Sequence, residues 1–576
     1  MGKGIKFFNV GTKIKIERTF PMNLGKKVIY QIYPKSFYDS NGDGIGDLRG
    51  IIEKIPYIAK LNVDMIWFNP FFVSPQHDNG YDIANYREID PRFGTMADFE
   101  ELVAKLKEIN VDVMLDMVFN HCSTDHEWFQ KALAGNEKYM KYFYIRPSKP
   151  NGDLPTNWES KFSGPAWAKF GDTDLYYLHL FDPSQADLDW HNPDVRQEAV
   201  DIVNFWRAKG VKGFRFDVLN VTGKDEVLVD SDGNIDHEKA LYTDTPVVKD
   251  YIKQLNRESF GQDPDAVTVG EMSSTTIEKS IEYTKPDDHE LSMVFAFHHL
   301  KVDYENGEKW SKVPFDFMKL KRILNEWQAG IDRGNGWQAL FWNNHDQPWA
   351  LNRFGDPVNY REKSAEMLAT AIHLLRGTPY IYMGEELGMI DPHYYSIHNY
   401  VDVEALNAYQ EMMDNGMNAH DAFEIVKTKA RDNSRVPMHW DDSQNAGFTT
   451  GKPWLKPTDQ DQINVQAELD HGEIFNYYQQ LIKLRKTEDL ISDGHFKAEL
   501  EDHPQVFAYR RYLDNNDEQL FVLNNFYGYE PWADIPADLQ NKEVEVLIDN
   551  YGEPRKMQLK DAIQLQPYQS IAFKIK

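Results

Sequence analysis

The chain has 576 residues, which is enough for a large hydrophobic core and two or three domains. Its formal net charge of −28 argues against nucleic acid as a partner and requires a local cationic site for any anionic ligand. The single cysteine, Cys122, excludes an intramolecular disulfide framework and is typical of a reducing cytoplasm. Residues 1–21 lack the apolar core of a signal peptide, and no apolar run approaches the length of a membrane span.

Strand-like and helix-like segments alternate from about residue 27 to residue 385. Strands are predicted at 28–37, 63–72, 111–121, 211–220, 266–272, 291–297, 337–346 and 378–385, where short apolar runs contain β-branched and aromatic residues. Helices are predicted at 47–61, 96–109, 194–209, 246–260, 276–284, 315–328 and 361–375, with a closing helix at 474–485. This alternation predicts an α/β fold, the (β/α)8 TIM barrel. A doubly wound open sheet is the competing fold, but its glycine-rich turn is missing after the first strand.

Three segments do not follow the alternation. Residues 122–185, after the third strand, are too long for a simple loop and predict a small inserted domain. Residues 391–429, after the eighth strand, are polar and helical and predict a lid-like subdomain. Residues 494–576 alternate polar and apolar side chains and predict a C-terminal antiparallel β-domain. The barrel is therefore expected to comprise residues 1–121 and 186–493.

The predicted strand at 211–220, VKGFRFDVLN, contains two charges inside an apolar run. Arg215 and Asp217 are two residues apart, so their side chains point to the same side of the strand. A single such pair is explained by a structural ion pair, which contributes little net stability. Other predicted strands also end in polar groups, and catalytic groups lie at the C-terminal strand ends of TIM barrels. These groups are Asp116, Asn120 and His121, then Glu271, and finally His345 and Asp346.

Several acids with His and Arg, and no metal motif such as HExxH, indicate glycoside hydrolysis by paired carboxylates. One carboxylate must be ionised to attack the sugar, and another must be protonated to donate to the leaving oxygen. Arg215 is expected to lower the pKa of Asp217, which makes Asp217 the nucleophile. Glu271 follows the apolar run AVTVG, which should raise its pKa and suits a general acid. Asp346 is expected to be a third carboxylate beside the sugar hydroxyls.

The segments DMVFNH, GFRFDVLN, VGEM and NNHD resemble the four signature segments of glycoside hydrolase family 13, the α-amylase family. They occur in the family's order, and the resemblance covers nearly the whole chain. It implies that Asp217 is the nucleophile, Glu271 the acid/base and Asp346 the stabiliser of the transition state. It also implies a set of sugar contacts, with core packing as the alternative for Tyr81. These contacts are Tyr81, Asp82, His121, Arg215, His345 and Arg435.

Residues 39–47, DSNGDGIGD, place oxygen-bearing side chains at positions one, three, five and nine of a loop, with glycine at position six. Position twelve is Gly50 and no helix pair frames the loop, so it is not an EF-hand. The loop resembles the calcium loop of the oligo-1,6-glucosidase branch of family 13, and the alternative is a solvated turn. The resemblance implies a structural calcium ion, and no organic cofactor, with the ligands Asp39, Asn41, Asp43, Asp47 and the Ile45 carbonyl.

Within this branch, QADLDW at 185–190 and Val218 resemble the α-1,6-acting group. EMSSTT, which begins at Glu271, and FHHLKVDYENGEKW at 297–310 resemble the trehalose-6-phosphate hydrolases. The resemblance implies a retaining α-glucosidase that hydrolyses trehalose 6-phosphate. A phosphorylated sugar needs cations at the outer subsite, and Lys301 and Lys309 are the candidates, with solvated surface charges as the alternative for each.

Three other functions are considered. The first is an oligo-1,6-glucosidase or dextran glucosidase, acting on neutral isomalto-oligosaccharides. The second is a transglycosylating enzyme such as a sucrose isomerase, which differs in outer subsites that the sequence does not resolve. The third is a non-catalytic accessory subunit of an amino-acid transporter, but the three acids are present and no membrane span is predicted. We expect a cytoplasmic monomer that acts on a small phosphorylated disaccharide.

Overall fold

The computed structural model describes residues 23–514 and 516–576, without the side chains of residues 235 and 236. Residues 1–21, for which no signal peptide is expected, lie outside the described residues. The beginning of the predicted barrel segment 1–121 lies outside them as well. Eight parallel strands form the central sheet. They are β1 (Ile29–Ile32), β2 (Met65–Phe68), β3 (Asp112–Val118), β4 (Gly213–Asp217), β5 (Val267–Glu271), β6 (Met293–Phe295), β7 (Ala339–Leu340) and β8 (Thr378–Tyr382).

The central sheet closes into a barrel. Its strands follow the order β6-β5-β4-β3-β2-β1-β8-β7, and a parallel bridge from Val294 to Gln338 joins the two ends. The strands are buried along nearly their whole length, as apolar strands covered on both faces must be. Trp67, Phe295 and Tyr380 meet edge to face or tilted, with ring centroids 4.7–6.1 Å apart. The predicted (β/α)8 barrel is confirmed, and the doubly wound alternative is wrong.

Helices follow the strands around the barrel, and each predicted barrel helix is present in the described residues. The predicted helix at 47–61 is two helices, because Pro56 begins a new helix after Lys54. The barrel helices are Leu48–Glu53, Ile55–Leu61, Met96–Glu108, Pro193–Ala208, Pro246–Glu258, Ile277–Thr284, Phe317–Arg333, Arg361–His373 and Ile474–Thr487. No helix within the described residues combines the length and apolar character that a membrane crossing requires.

Strand β7 is much shorter than the predicted strand at 337–346. The side-chain oxygen of Asn344 accepts a hydrogen bond from the backbone N–H of Asp346 at 2.8 Å. This local turn replaces the strand, because an asparagine side chain can satisfy a backbone donor that would otherwise need a neighbouring strand. His345 and Asp346 consequently lie on a turn above the barrel rather than on a strand.

The segment between β3 and β4 contains its own small sheets. Strands His121–Ser123 and Gln185–Asp187 pair antiparallel at its base, and Ile145–Pro147, Leu175–Leu178 and Trp167–Lys169 form a three-stranded sheet. Its short helices are Glu127–Leu133 and Glu137–Met140. The base pairing brings the two ends of the segment together above the barrel. This segment, residues 122–185, is called the insertion below.

Short helices also connect the later strands, and a second β-sheet follows the barrel. The remaining helices are Ile235–Ala240, Ala350–Phe354, Val403–Asp414, Ala419–Lys429, Asp432–Arg435, Val465–His471 and Asp489–Ser492. The six-stranded antiparallel sheet has the order His495–Glu499, Val506–Tyr512, Gln519–Asn525, Ser570–Ile575, Glu543–Asp549 and Arg555–Gln558. Strands Trp532–Asp534 and Ala562–Gln564 form a separate pair beside it. The predicted C-terminal antiparallel β-structure is therefore present.

Candidate active site

An open cavity of about 760 Å³ lies at the C-terminal ends of the barrel strands. This is the face on which TIM barrels carry catalysis. A second cavity, of about 750 Å³, lies beside the N-terminal start of β5 at Ala266 and is therefore on the opposite face. The first cavity is lined by six of the predicted site residues, namely Tyr81, His121, Asp217, Glu271, Lys309 and Asp346. Arg215 and His345 lie directly beneath it, each at most 1% exposed.

The Arg215 guanidinium binds three carboxylates from three neighbouring strands. Its Nη1 donates to Asp116 Oδ1 at 2.7 Å and to Asp217 Oδ1 at 2.8 Å, and its Nη2 donates to Glu271. Parallel pairing sets this geometry, since Arg215 on β4 is in register with Asp116 on β3. The residue after Asp217, Val218, has a φ of 33°, a left-handed conformation that is unfavourable for a β-branched side chain. Three carboxylates therefore share one buried cation.

The pKa values of these carboxyls follow from burial and from their mutual repulsion. Burial raises the pKa of Asp217 to about 7, although Arg215 opposes the rise. Burial also raises the pKa of Glu271 to about 8, assisted by the charges of Asp217 and Asp346. Arg215 lowers the pKa of Asp217 as predicted, but desolvation outweighs the guanidinium and the net pKa is raised. The order remains the one that a nucleophile and a general acid need, with Glu271 above Asp217.

Asp346 has a different environment from the other two acids. Burial alone would raise its pKa, but His345, Arg431 and Arg435 lower it well below the usual range. His345 Nε2 lies 3.1 Å from Asp346 Oδ2, and Arg435 Nη2 donates to Asp346 Oδ1 at 2.7 Å. Arg435 Nε also donates to the His345 carbonyl at 2.7 Å. These contacts favour the ionised form of Asp346, and Arg435 binds it from outside the cavity lining.

Asp78 and Arg431 also line the cavity. Arg431 Nη2 donates to Asp78 Oδ1 at 2.9 Å, and its Nη1 lies 3.4 Å from Asp346 Oδ1. Arg431 is also bound to Asp402, which is fully buried. The predicted residues Asp82 and Arg435 do not line the cavity, whereas Asp78 and Arg431 do.

Tyr81 and Asp82 have separate roles in the structure. The Tyr81 ring lines the cavity and stacks on His345, with centroids 5.2 Å apart and planes inclined by 4°, and its hydroxyl donates to Asp116 at 2.9 Å. Asp82 is fully buried and accepts hydrogen bonds from Ser74 Oγ at 2.9 Å and the His77 amide at 2.8 Å. Asp82 therefore fixes the loop, and the expected contact with a sugar is not supported by its position.

The two histidines at the pocket are neutral at physiological pH. Burial lowers the pKa of His121 and of His345 to about 4. His121 Nε2 lies 3.1 Å from the Tyr81 carbonyl and 3.1 Å from Gln185 Nε2. Each neutral imidazole has a single N–H, so these histidines organise the residues around the carboxylates without adding charge.

The two predicted phosphate-binding lysines lie in unequal positions. Lys309 lines the cavity, but its Nζ binds both oxygens of Glu404, at 2.8 and 2.7 Å. Lys301 is half-buried and lies outside the cavity lining, although its charge lowers the pKa of Lys161. Lys161 of the insertion lines the cavity itself.

The predicted calcium loop is a tight turn held by its own side chains. Asp39 accepts hydrogen bonds from the amides of Gly42 and Gly44, each at 2.7 Å, and both glycines have positive φ. Asp47 accepts from the Ser40 amide at 2.9 Å and from the Gly50 amide at 2.6 Å, which caps the following helix.

Asn41 and Asp43 each accept one amide hydrogen bond, and both are more exposed than Asp39. Nowhere in residues 23–514 and 516–576 are three His, Cys, Asp or Glu side chains grouped as metal ligands. The three predicted carboxylates, Asp39, Asp43 and Asp47, are therefore not drawn together as such a group in this structure. Calcium binding therefore stays a prediction.

Asp78, Lys161 and Arg431 are among the cavity-lining residues that the sequence did not identify. Asp78 lies three residues before Tyr81, and Arg431 begins the motif RDNSRVPMHW, which also contains Arg435. These two were within reach of the motifs. Lys161 lies in the insertion, where no periodicity or spacing distinguishes it from a surface lysine.

Comparisons with known proteins agree with this architecture. Residues 31–494 match the family described as "Alpha amylase, catalytic domain", and residues 506–572 match the "Alpha-amylase SusG C-terminal domain". The chain is 48% identical over 555 residues to the trehalose-6-phosphate hydrolase of Bacillus subtilis (strain 168), covering 96% of this chain and 98% of the relative. It is 44% identical over 557 residues to the oligo-1,6-glucosidase of Parageobacillus thermoglucosidasius, covering 95% and 98%. The crystal structure of Bacillus licheniformis trehalose-6-phosphate hydrolase superposes with a TM-score of 0.90 at 48% identity, covering 96% and 100%.

Proposed function

The chain belongs to the α-amylase family of glycoside hydrolases, and we propose that it hydrolyses trehalose 6-phosphate to glucose and glucose 6-phosphate. The observation that carries the proposal is the group of three strand-end acids around one cavity, where Asp217 and Glu271 share Arg215. The relatives from Bacillus subtilis and Bacillus licheniformis that bear the name trehalose-6-phosphate hydrolase support the choice of substrate.

The proposed chemistry is a double displacement at the anomeric carbon. Asp217 attacks this carbon while Glu271 protonates the leaving oxygen, and the product is a β-glucosyl enzyme with glucose 6-phosphate released. Water, deprotonated by Glu271, then attacks the same carbon and releases α-glucose. Asp346, which remains an anion, stabilises the positive charge that develops on the sugar ring. Retention requires the two reacting carboxyls to lie about 5–5.5 Å apart around the bound sugar.

The pocket favours a single glucosyl unit on the side of Asp346. Asp78 and Arg431 close this side with charged groups that can bind the hydroxyls at the non-reducing end. A glucan substrate that extended past this side would have to place another sugar against these charges, where there is no room for it. The leaving group must therefore occupy the opposite side of the cavity.

Hydrolysis of neutral isomalto-oligosaccharides is the second candidate, because the relative from Parageobacillus thermoglucosidasius is an oligo-1,6-glucosidase. Initial rates with trehalose 6-phosphate, trehalose and isomaltose at equal concentration separate the two functions. We expect kcat/KM for trehalose 6-phosphate to exceed that for isomaltose at least tenfold. A higher value for isomaltose would replace the proposed function by the second candidate.

The remaining properties are also proposals. A structural calcium ion would be held by Asp39, Asn41, Asp43, Asp47 and the Ile45 carbonyl, a set of hard oxygen donors that calcium prefers. If the ion is bound, a chelator should lower Tm, and Asp43→Asn should make that decrease smaller. A Tm that the chelator does not change would contradict calcium binding.

A cytoplasmic location is consistent with the single, buried, free thiol of Cys122. Light scattering tests the expected monomer, and a mass near twice 67.1 kDa would contradict it.

A further inference from the structure

Lys161 is held in place on the cavity wall by the insertion. Its backbone N–H donates to the Leu180 carbonyl at 2.8 Å. The next residue, Phe162, is buried beneath the Arg431 guanidinium at 5.0 Å, and its carbonyl accepts a hydrogen bond from Asn407 at 3.0 Å. Contacts from three parts of the chain therefore fix the backbone from which the Lys161 side chain enters the cavity.

The Lys161 ammonium rests on aromatic rings instead of a carboxylate. Its Nζ lies 5.2 Å from the centroid of Phe181 and 5.7 Å from that of Tyr242. Among the residues that the structure describes, no carboxylate oxygen comes within 4.0 Å of this Nζ. The neighbouring lysines are neutralised, since Lys224 binds Asp187 at 2.8 Å and Lys309 binds Glu404 at 2.7 Å. Lys161 thus keeps its positive charge available to a ligand.

Lys161 and Glu271 line the same cavity, and Phe181, the ring beneath the Lys161 ammonium, lines it too. Burial lowers its pKa to about 8, and the largest opposing influence is the charge of Glu271. Lys239 and Lys301 add positive charge to the same region. Arg431 and Arg435 are instead coupled to Asp346 and Asp402, on the glucosyl side. Since Glu271 is the proposed proton donor to the leaving oxygen, Lys161 faces the sugar that departs.

We propose that Lys161 determines specificity by binding the phosphate of a 6-phosphorylated leaving sugar. This inference rests on the proposed function and assigns the contact with the substrate's phosphate to the insertion. Lys309 has a lesser share, because the Glu404 carboxylate that it binds repels a phosphate. A lysine on an aromatic platform suits this task, since the rings stabilise the ammonium without cancelling its charge. The same contact holds glucose 6-phosphate after the glycosidic bond has broken.

The test compares Lys161→Ala and Lys161→Arg with Lys169→Ala. Lys169 is an exposed lysine of the same insertion, and its Nζ donates to the Thr173 carbonyl at 3.1 Å outside the cavity. Rates are measured with trehalose 6-phosphate and with p-nitrophenyl α-glucoside, a neutral substrate. Glucose 6-phosphate is tested as an inhibitor of the neutral reaction, and Tm is measured to verify folding.

Lys161→Ala should lower kcat/KM for trehalose 6-phosphate about 10- to 100-fold more than kcat/KM for the neutral glucoside, because a charge-assisted phosphate contact is lost. The inhibition constant for glucose 6-phosphate should rise by a similar factor. Lys161→Arg should recover most of both losses, and Lys169→Ala should resemble the unmodified enzyme.

Equal losses for both substrates, or none, in an enzyme that prefers trehalose 6-phosphate would overturn the role of Lys161 and leave the proposed function intact. An unmodified enzyme that prefers isomaltose would overturn the proposed function. In that case, inhibition of the neutral reaction by glucose 6-phosphate still tests whether Lys161 binds a phosphate. Inhibition that Lys161→Ala abolishes would support a phosphate site, and inhibition that the substitution leaves unchanged would exclude one.

Discussion

The two sides of the cavity are built from different parts of the chain. On the glucosyl side, Asp346, Arg431, Arg435 and Asp78 form a dense network of buried ion pairs around the ends of the barrel strands. On the leaving-group side, Lys161 projects from the insertion and contacts aromatic rings. The first side fixes charges that the bond-breaking step needs. On the second side the Lys161 ammonium contacts rings instead of a carboxylate, so the proposed phosphate contact would leave the acids unchanged.

The largest expected effect tests the chemistry common to both sides. Asp217→Asn should lower kcat about 10⁴-fold or more for every substrate, because the nucleophile is lost while binding groups remain. Rates with p-nitrophenyl α-glucoside measure the loss, and Asp201→Asn, on an outer helix, is the control. Residual activity above about 1% would mean that another group attacks the sugar.

A smaller but still large effect is expected on the glucosyl side. Asp78→Asn removes a charged acceptor beside Arg431 and should lower kcat/KM about 100-fold. Both trehalose 6-phosphate and the neutral glucoside should lose activity by the same factor, within about threefold, since they place the same glucosyl unit there. A loss confined to the phosphorylated substrate would contradict the division between the two sides.

The pH dependence sharpens the description of the shared acids. Catalysis needs Asp217 ionised and Glu271 protonated, so kcat/KM for a neutral glucoside should rise through a pH of about 7 and fall through about 8. The charge of Asp116 raises the pKa of Asp217. Asp116→Asn should therefore move the acidic limb to lower pH. Rates between pH 5 and 10 test this, and an unmoved or alkaline-shifted limb would contradict it.

The smallest expected effect concerns Lys309 on the leaving-group side. Glu404→Gln removes the carboxylate that neutralises Lys309 and should lower KM for trehalose 6-phosphate about threefold, because a partly exposed charge pair contributes little. KM for the neutral glucoside is the internal control. A larger KM for the phosphorylated substrate would show that Glu404 positions Lys309 for phosphate binding.

The sequence alone indicated the barrel, because alternating strands and helices with buried apolar strands admit few other folds. It also indicated the three acids, since each lies in a motif at the end of a predicted strand. Local signals suffice for such features, because strand position and residue type together decide where a side chain points.

Tertiary structure determined the pKa values of those acids and the side chains that surround them. The pKa of Asp217 depends on burial and on Asp116, a residue about a hundred positions away. Asp78 and Arg431 line the cavity while Asp82 and Arg435 do not, because residues a few positions apart face different ways once a loop folds. Lys161 lines the cavity only because the insertion folds over the barrel. Desolvation and contacts between residues distant in sequence depend on the whole fold, so no local pattern of residues predicts them.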